Sequence, residues 1–426
     1  MVMNLLVLGG GGREHALVWK ISQSPLCERI YCIPGNAGIA EVAECPQISL
    51  NDFEAISDFI EKNNIYLTVV GPEQPLVEGI VDFLELRGQK VFGPCKMAAQ
   101  MEGSKIFAKN LMKKYGIPTA HFGAFTDFEE ASKYLDTLEE GKVVVKADGL
   151  AAGKGSIVCA DLTEAYEALQ TMMVEDAFKG AGRRVVIEEF MQGQEASLFV
   201  ITDGKDYITL PPAQDFKRAL DRDMGKNTGG MGSYAPTPVL HKTLQERAIK
   251  EIVEPTLEAL KKEGIIYRGV LYCGLMVTSK GPKVVEFNCR FGDPETQVVL
   301  PLLDNDLVEI FLATVNGELA GFPVKYKNEY AVCVVAASGG YPDAYEKGKK
   351  ITGLDQLDPD VVVFHAGTKK EGNDIVTNGG RVLAVTATAR NLKEAVDKVY
   401  ANMKKIHFDK MHYRTDIAEK AWKILA

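Results

Sequence analysis

The run Val284-Val285-Glu286-Phe287-Asn288-Cys289-Arg290-Phe291-Gly292-Asp293-Pro294-Glu295 concentrates reactive side chains in one place. As a strand it has a period of two, with Val285, Phe287 and Cys289 on one face and Glu286, Asn288 and Arg290 on the other. A carboxylate and an amide oxygen two residues apart are hard ligands aimed at one point. They suit Mg2+, which takes few protein ligands and fills its shell with phosphate oxygens. Gly292-Asp293-Pro294 should break the strand, with Asp293 capping and Pro294 starting a helix. A strand with one solvated face has the same pattern, so the run alone leaves both readings open.

A second set of groups lies upstream. Lys146 ends the apolar run Val143-Val144-Val145 and is followed by Asp148-Gly149-Leu150-Ala151-Ala152-Gly153-Lys154-Gly155. Gly149 and Gly153 are too close together for a P-loop, Lys154 precedes Gly155 rather than Ser or Thr, and no helix follows. The pattern predicts a glycine-rich hairpin instead. Such a flap can close over nucleotide phosphates, with Lys146 and Lys154 supplying charge. Glu188, Glu189 and Phe190 end the next strand, and Glu195 follows a Gln192-Gly193-Gln194 turn. Backbone groups there could meet a base edge, and Glu195 the ribose hydroxyls. Asp215 and Lys217 then open a long polar segment containing Gly225 and Gly229 to Gly232; irregular loops of that length usually carry function.

These groups need a scaffold, and the chain begins with one. A short apolar strand over 4–8, the glycines 9–12 and a helix carrying Ala16, Leu17 and Trp19 form an anion-binding arrangement. The next strand, 29–33, ends in Pro34-Gly35-Asn36 with no acidic residue to accept ribose hydroxyls, which argues against a dinucleotide. Helices over 53–63 and 77–87 alternate with strands over 66–70 and 91–92. The loops holding Gly11, Asn36, Pro72 and Glu73 thus fall at the carboxyl ends of parallel strands, where ligands bind. Strands are expected over 330–337, 361–366 and 381–389, with a helix over 392–405; His365 reads as structural.

Length and composition set the limits. The chain has 426 residues and a net charge of −9, which predicts several domains and no general nucleic-acid binding. No apolar run reaches membrane-spanning length, and the first residues lack a signal-peptide pattern. The eight cysteines form no Cys-x-x-Cys pair, which fits a reducing cytoplasm.

In order, these motifs resemble an ATP-grasp domain and, over essentially the whole chain, the phosphoribosylamine–glycine ligase family. The likeness rests on Gly10 to His15, Pro34-Gly35-Asn36, Val70-Gly71-Pro72-Glu73, Lys146 to Gly155, Asn227 to Gly232 and Arg290 to Gln297. Three positions depart from the family pattern: Phe216 for the usual His, Lys226 for Pro and Ala418 for Gly.

The resemblance implies an α/β and α+β multidomain fold. It comprises a doubly wound N-terminal domain (1–103), an ATP-grasp core (104–122 and 193–330), a mobile glycine-flap subdomain (123–192) and a small C-terminal α/β domain (331–426). It implies that glycine and 5-phosphoribosylamine are joined through glycyl phosphate with ATP, and Mg2+ or Mn2+, in purine biosynthesis. Lys105, Lys146, Gly149, Gly153, Lys154 and Gly155 would hold phosphates. Glu188, Glu189, Phe190 and Glu195 would hold adenosine, and Glu286 and Asn288 the metal. Gly11, Asn36, Pro72, Glu73, Asp215, Lys217 and Arg290 would bind substrates, with Arg290, Asp293 and Lys154 at the reacting groups. Whether Arg290 meets glycine or the phosphoribosyl group stays open. A monomer without nucleic-acid or membrane partners is expected, touching the preceding pathway enzyme at most transiently. The alternative is another ATP-grasp carboxylate–amine ligase or a carboxylase.

Overall fold

The computed structural model describes residues 2–151, 155–178 and 180–425. Gly153 and Lys154 lie outside the described residues. The first sheet is parallel throughout, in the order Cys27–Pro34, Met3–Gly9, Ile65–Val70 and Val91–Phe92. Met3–Gly9 is buried on both faces, as the continuous apolar run requires. The loops after Gly9, Pro34 and Val70 therefore open on one edge. The helix expected over 77–87 is two short helices, Glu73–Glu78 and Ile80–Glu85, because Gly79 between them turns left-handed at φ 99°.

Two antiparallel sheets follow. One pairs Phe122–Phe125, Val185–Glu189, Val143–Ala147 and Ser156–Cys159 in that order, so the flanks of the glycine segment are a hairpin with Lys146 opposite Ser156. The other runs Tyr207–Thr209, Gln194–Thr202, Gly269–Thr278 and Gly281–Asn288. Between them runs the helix Lys105–Tyr115, capped by Ser104, whose Oγ accepts from the Phe107 N–H. Asp148 ties this helix to the hairpin: its Oδ1 accepts from Ser104 Oγ at 2.9 Å and from the Ile106 N–H at 2.7 Å.

The last sheet orders Gln214–Asp215, Gly232–Ala235, Tyr330–Ala337, Arg381–Ala389 and Val362–His365. The polar segment around Asp215 thus shares a sheet with the C-terminal strands. Ala418, at the family's glycine position, has φ 62°. An L-residue in that region carries a cost of about 1 kcal/mol. Among the described residues no helix is long and apolar enough to cross a membrane.

Candidate active site

Glu286 lies near the end of the strand Gly281–Asn288, and its neighbours are not arranged by simple alternation. A bulge shifts the register so that Gly274 pairs with Glu286 but Leu275 pairs with Val284. Val284, not Val285, is therefore buried with Phe287 and Cys289, and Val285 faces a small cavity with Glu286. Among the described residues Glu286 has no hydrogen bond or close ion pair, although Lys146, Lys105, Lys217 and Arg290 surround it at longer range. Burial pushes its carboxyl up, but these four cations outweigh it and hold the group below its usual range, ionised. An unengaged carboxylate beside the Asn288 amide suits a divalent ion that shares phosphate oxygens. No cluster of three His, Cys, Asp or Glu ligands exists among the described residues.

The lysines are anchored from the other sheet. Lys146 donates from Nζ to the Val285 carbonyl at 3.0 Å and pairs with Glu188 Oε2 at 3.0 Å. Lys105 Nζ reaches the Gly149 carbonyl at 3.4 Å, and burial pulls its pKa down. Glu188 is 2% exposed, so its carboxylate serves lysines and does not face open space. Glu189 Oε1 accepts from the His121 N–H at 3.1 Å and from Lys283 at 3.3 Å, while Phe190 is exposed beneath Lys142.

Glu195, Asp215 and Lys217 line the same cavity as Glu286, together with Ser197 and Tyr272. Lys217 pairs with Asp215 at 2.6 Å and lies 4.0 Å from Glu195. Tyr272 Oη donates to the buried Glu295 at 2.6 Å and shares a 2.9 Å bond with Ser197 Oγ. Phe216 points the opposite way from Asp215 and Lys217. It packs on the C-terminal core, 6.2 Å from the Tyr234 ring and under the Arg414 guanidinium at 5.0 Å.

Arg290 is held by two carboxylates and an amide oxygen. Its guanidinium bonds Glu102 at 2.7 Å, Glu73 at 3.2 Å and Asn288 Oδ1 at 3.2 Å. Burial raises Glu73, but Arg290 and Arg13 overcome this and bring it to about 2. Pro72 precedes the helix that Glu73 opens. Asp293 does not cap a helix; the next one is Thr296–Leu302. Its carboxylate instead accepts from the Arg13 N–H at 3.2 Å and from Gln297 at 2.9 Å, and pairs with Arg381 at 3.3 Å. Arg381 Nη1 also donates to the carbonyls of Gly229 and Asp293.

Asp293 and Arg381 line an open cleft of about 350 Å³ with Gly10, Gly11, Gly35 and Asn36 on one wall and Tyr341, Thr368 and Asn378 on the other. Gly10 is required by close approach, since a Cβ there would lie 2.5 Å from the Gly35 carbonyl. Gly71 makes room for Glu14, whose carboxylate accepts from the Gly11 N–H at 2.7 Å.

This arrangement matches known proteins over its full extent. Family models of phosphoribosylglycinamide synthetase match at residues 3–102 (N domain), 103–296 (ATP-grasp domain) and 331–420 (C domain). A phosphoribosylamine–glycine ligase of Caldanaerobacter subterraneus subsp. tengcongensis is 50% identical over 98% of this chain and 99% of its own length. The chain belongs to the phosphoribosylamine–glycine ligase family. The crystal structure of the Thermotoga maritima phosphoribosylamine–glycine ligase, 37% identical, superposes with a TM-score of 0.85 over 97% of this chain and all of that one. The biotin carboxylase domain of Hydrogenobacter thermophilus 2-oxoglutarate carboxylase shares the fold at 18% identity, with a TM-score of 0.74 over 97% of this chain and 92% of that one.

As a phosphoribosylamine–glycine ligase family member, the chain carries an ATP-grasp domain, whose ligases use ATP and a divalent metal. The cleft wall from the C-terminal strands, the Glu102–Arg290 pair, Tyr272 and Lys109 were not singled out by sequence. Only Glu102 stood near a motif, and its partner lies 188 residues away.

Proposed function

We propose that the protein joins glycine to 5-phosphoribosylamine at the expense of ATP, giving glycinamide ribonucleotide, ADP and phosphate through glycyl phosphate. The observation that carries this reading is Glu286: an ionised carboxylate, unbonded among the described residues and ringed by Lys105, Lys146, Lys217 and Arg290. Such a site favours a multiply charged anion bridged by a metal.

Glu286 and Asn288 are the residues to hold Mg2+, with Mn2+ as the alternative. Bound there, the metal would neutralise phosphate charge during transfer. Lys105 and Lys146 hold the nucleotide phosphates. The ends of the strands Val185–Glu189 and Gln194–Thr202 hold the adenosine. Asp215 and Lys217, beside Glu286, hold glycine: its ammonium meets Asp215 and its carboxylate Lys217. The cleft between Gly11 and Arg381 takes the phosphoribosyl group, and Arg290 orders the groups on both sides through Asn288 and Glu73.

The reaction is tested by making phosphoribosylamine from ribose 5-phosphate and ammonia in the presence of ATP, Mg2+ and glycine, and following ADP and the amide. Stoichiometric ADP and amide are expected. ADP release that ignores glycine overturns the reading.

A further inference from the structure

Lys109 lies one turn beyond Lys105 on the helix Lys105–Tyr115 and is 2% exposed. An amine buried that deeply needs partners. Its Nζ is 3.1 Å from Glu188 Oε1 and donates to Thr119 Oγ1 at 2.8 Å. The other oxygen of Glu188 takes Lys146. Glu188 is thus held between two buried ammonium groups, one from the helix and one from the flap hairpin.

Both lysines also reach the strand that carries Glu286. Thr119 Oγ1 donates to the Val284 carbonyl at 2.7 Å, and Lys146 donates directly to the next carbonyl, Val285, at 3.0 Å. These two carbonyls flank the bulge that turns Glu286 into its cavity. Four elements around the nucleotide region are therefore tied through Lys109, Glu188 and Lys146.

The charge balance gives the bracket its consequence. A lysine has three N–H donors; Lys146 gives one to the Val285 carbonyl and lies in ion-pair contact with Glu188. With Lys109 present, the bracket carries one excess positive charge, and among the described residues Lys146 has donor capacity beyond its bond to Val285. Without Lys109, Glu188 and Lys146 neutralise each other, and an approaching anion meets a closed ion pair.

We propose that Lys109 is a positioning residue: acting through Glu188, it keeps the charge and remaining donor capacity of Lys146 available to the ATP phosphates. This rests on the reading above that Lys146 meets those phosphates.

The full-length enzyme tests it with four variants, each with a thermal melt: Lys109→Met, Glu188→Gln, the double variant and Lys146→Met. Losing a charge-assisted hydrogen bond predicts that KM for ATP rises at least about tenfold in Lys109→Met, while KM for glycine stays within about twofold. Removing the surplus carboxylate should reverse this, so the double variant returns to within about threefold of wild type in KM for ATP. A double variant no better than Lys109→Met overturns the proposal and leaves Lys109 a packing residue. If Lys109→Met does not fold, Glu188→Gln carries the test alone: KM for ATP within about threefold of wild type supports the proposal, and a tenfold rise overturns it. Lys146→Met separates the two claims. Unchanged KM for ATP there overturns the reading of Lys146; a raised value there with normal Lys109→Met overturns only the role of Lys109.

Discussion

Glu102 grips Arg290 at two points: Oε1 meets Nη2 at 2.7 Å, and Oε2 accepts the N–H of the preceding residue, Cys289, at 2.8 Å. The helix Lys96–Gly103 thereby fixes both the guanidinium and the backbone just beyond Asn288, whose Oδ1 accepts from the same Nη2. Glu102→Ala should leave a buried cation with Glu73 as its one carboxylate partner among the described residues, and the Cys289 N–H unpaired. A loss of about 3 kcal/mol in folding stability follows from breaking such a buried pair. Because the guanidinium that orients Asn288 loses its anchor, metal affinity should fall about 10- to 100-fold. Denaturant unfolding and a metal titration of turnover read the two effects separately. Unchanged values in both would dismiss the pair as a bystander.

Glu286→Gln is the direct probe of the metal reading. Glutamine keeps the shape and removes the charge that four cations hold ionised. Turnover should fall at least about 100-fold, since the variant loses preorganised charge where the phosphate reacts. The melting temperature should fall modestly, because a carboxylate held below its usual range stabilises the fold and glutamine leaves the four cations without it. Chelation should abolish wild-type turnover and added Mg2+ restore it. A variant with near-wild-type rates removes Glu286 from the site.

Asn36 illustrates a residue whose motif was legible and whose role was not. Its Oδ1 accepts from the N–H groups of Gly38 and Ile39, both at 3.0 Å. Its Nδ2 donates to the carbonyls of Gly10 at 2.9 Å and His365 at 2.8 Å. The amide is fully engaged, so it builds the cleft wall. Asn36→Ala removes four bonds worth about 1 kcal/mol each, and a loss of about 2 to 4 kcal/mol is expected. Asn36→Asp should be no better, because it sets a carboxylate against two carbonyls. KM for phosphoribosylamine should rise in both, with KM for ATP unchanged; a reversed pattern would take the cleft away from the phosphoribosyl group.

Local chemistry explains which features could be read in advance. The parallel strands, the flap hairpin and the strands Tyr330–Ala337 and Arg381–Ala389 follow from apolar runs and glycine turns, which are properties of neighbouring residues. The polar face of Glu286, Asn288 and Arg290 follows from the same periodicity. The bulge at Val285 does not, since it depends on the register of Gly269–Thr278. Glu188 looked like an adenosine ligand because its two lysines lie 79 and 42 residues earlier in the chain. Asp293 looked like a cap because Arg13 and Arg381, which hold it, stand near opposite ends of the sequence. Phe216 looked like a lost active-site group, yet it lies just past the strand Gln214–Asp215 and packs against Tyr234 and Arg414.

His15 and His365 give a prediction in pH. They meet where the first helix packs on the C-terminal sheet, with the His365 N–H donating to His15 Nδ1 at 2.7 Å and the His365 ring bonded to Thr368. Burial lowers His15 from 6.5 to about 3, helped by His365, and lowers His365 to about 4. Both are neutral in the fold and protonate in the unfolded chain near 6.5. Below that value the unfolded state binds more protons, so stability falls as pH falls and is regained as pH rises toward neutrality. Each histidine should contribute a loss of about 2 kcal/mol between pH 6.5 and about pH 5. Urea unfolding at about pH 7 and about pH 5 measures this, with His365→Asn as the control that titrates one group fewer. The variant should start less stable, for want of the Thr368 bond, but lose less on acidification than the wild type. An equal loss in both proteins would place the acid sensitivity elsewhere.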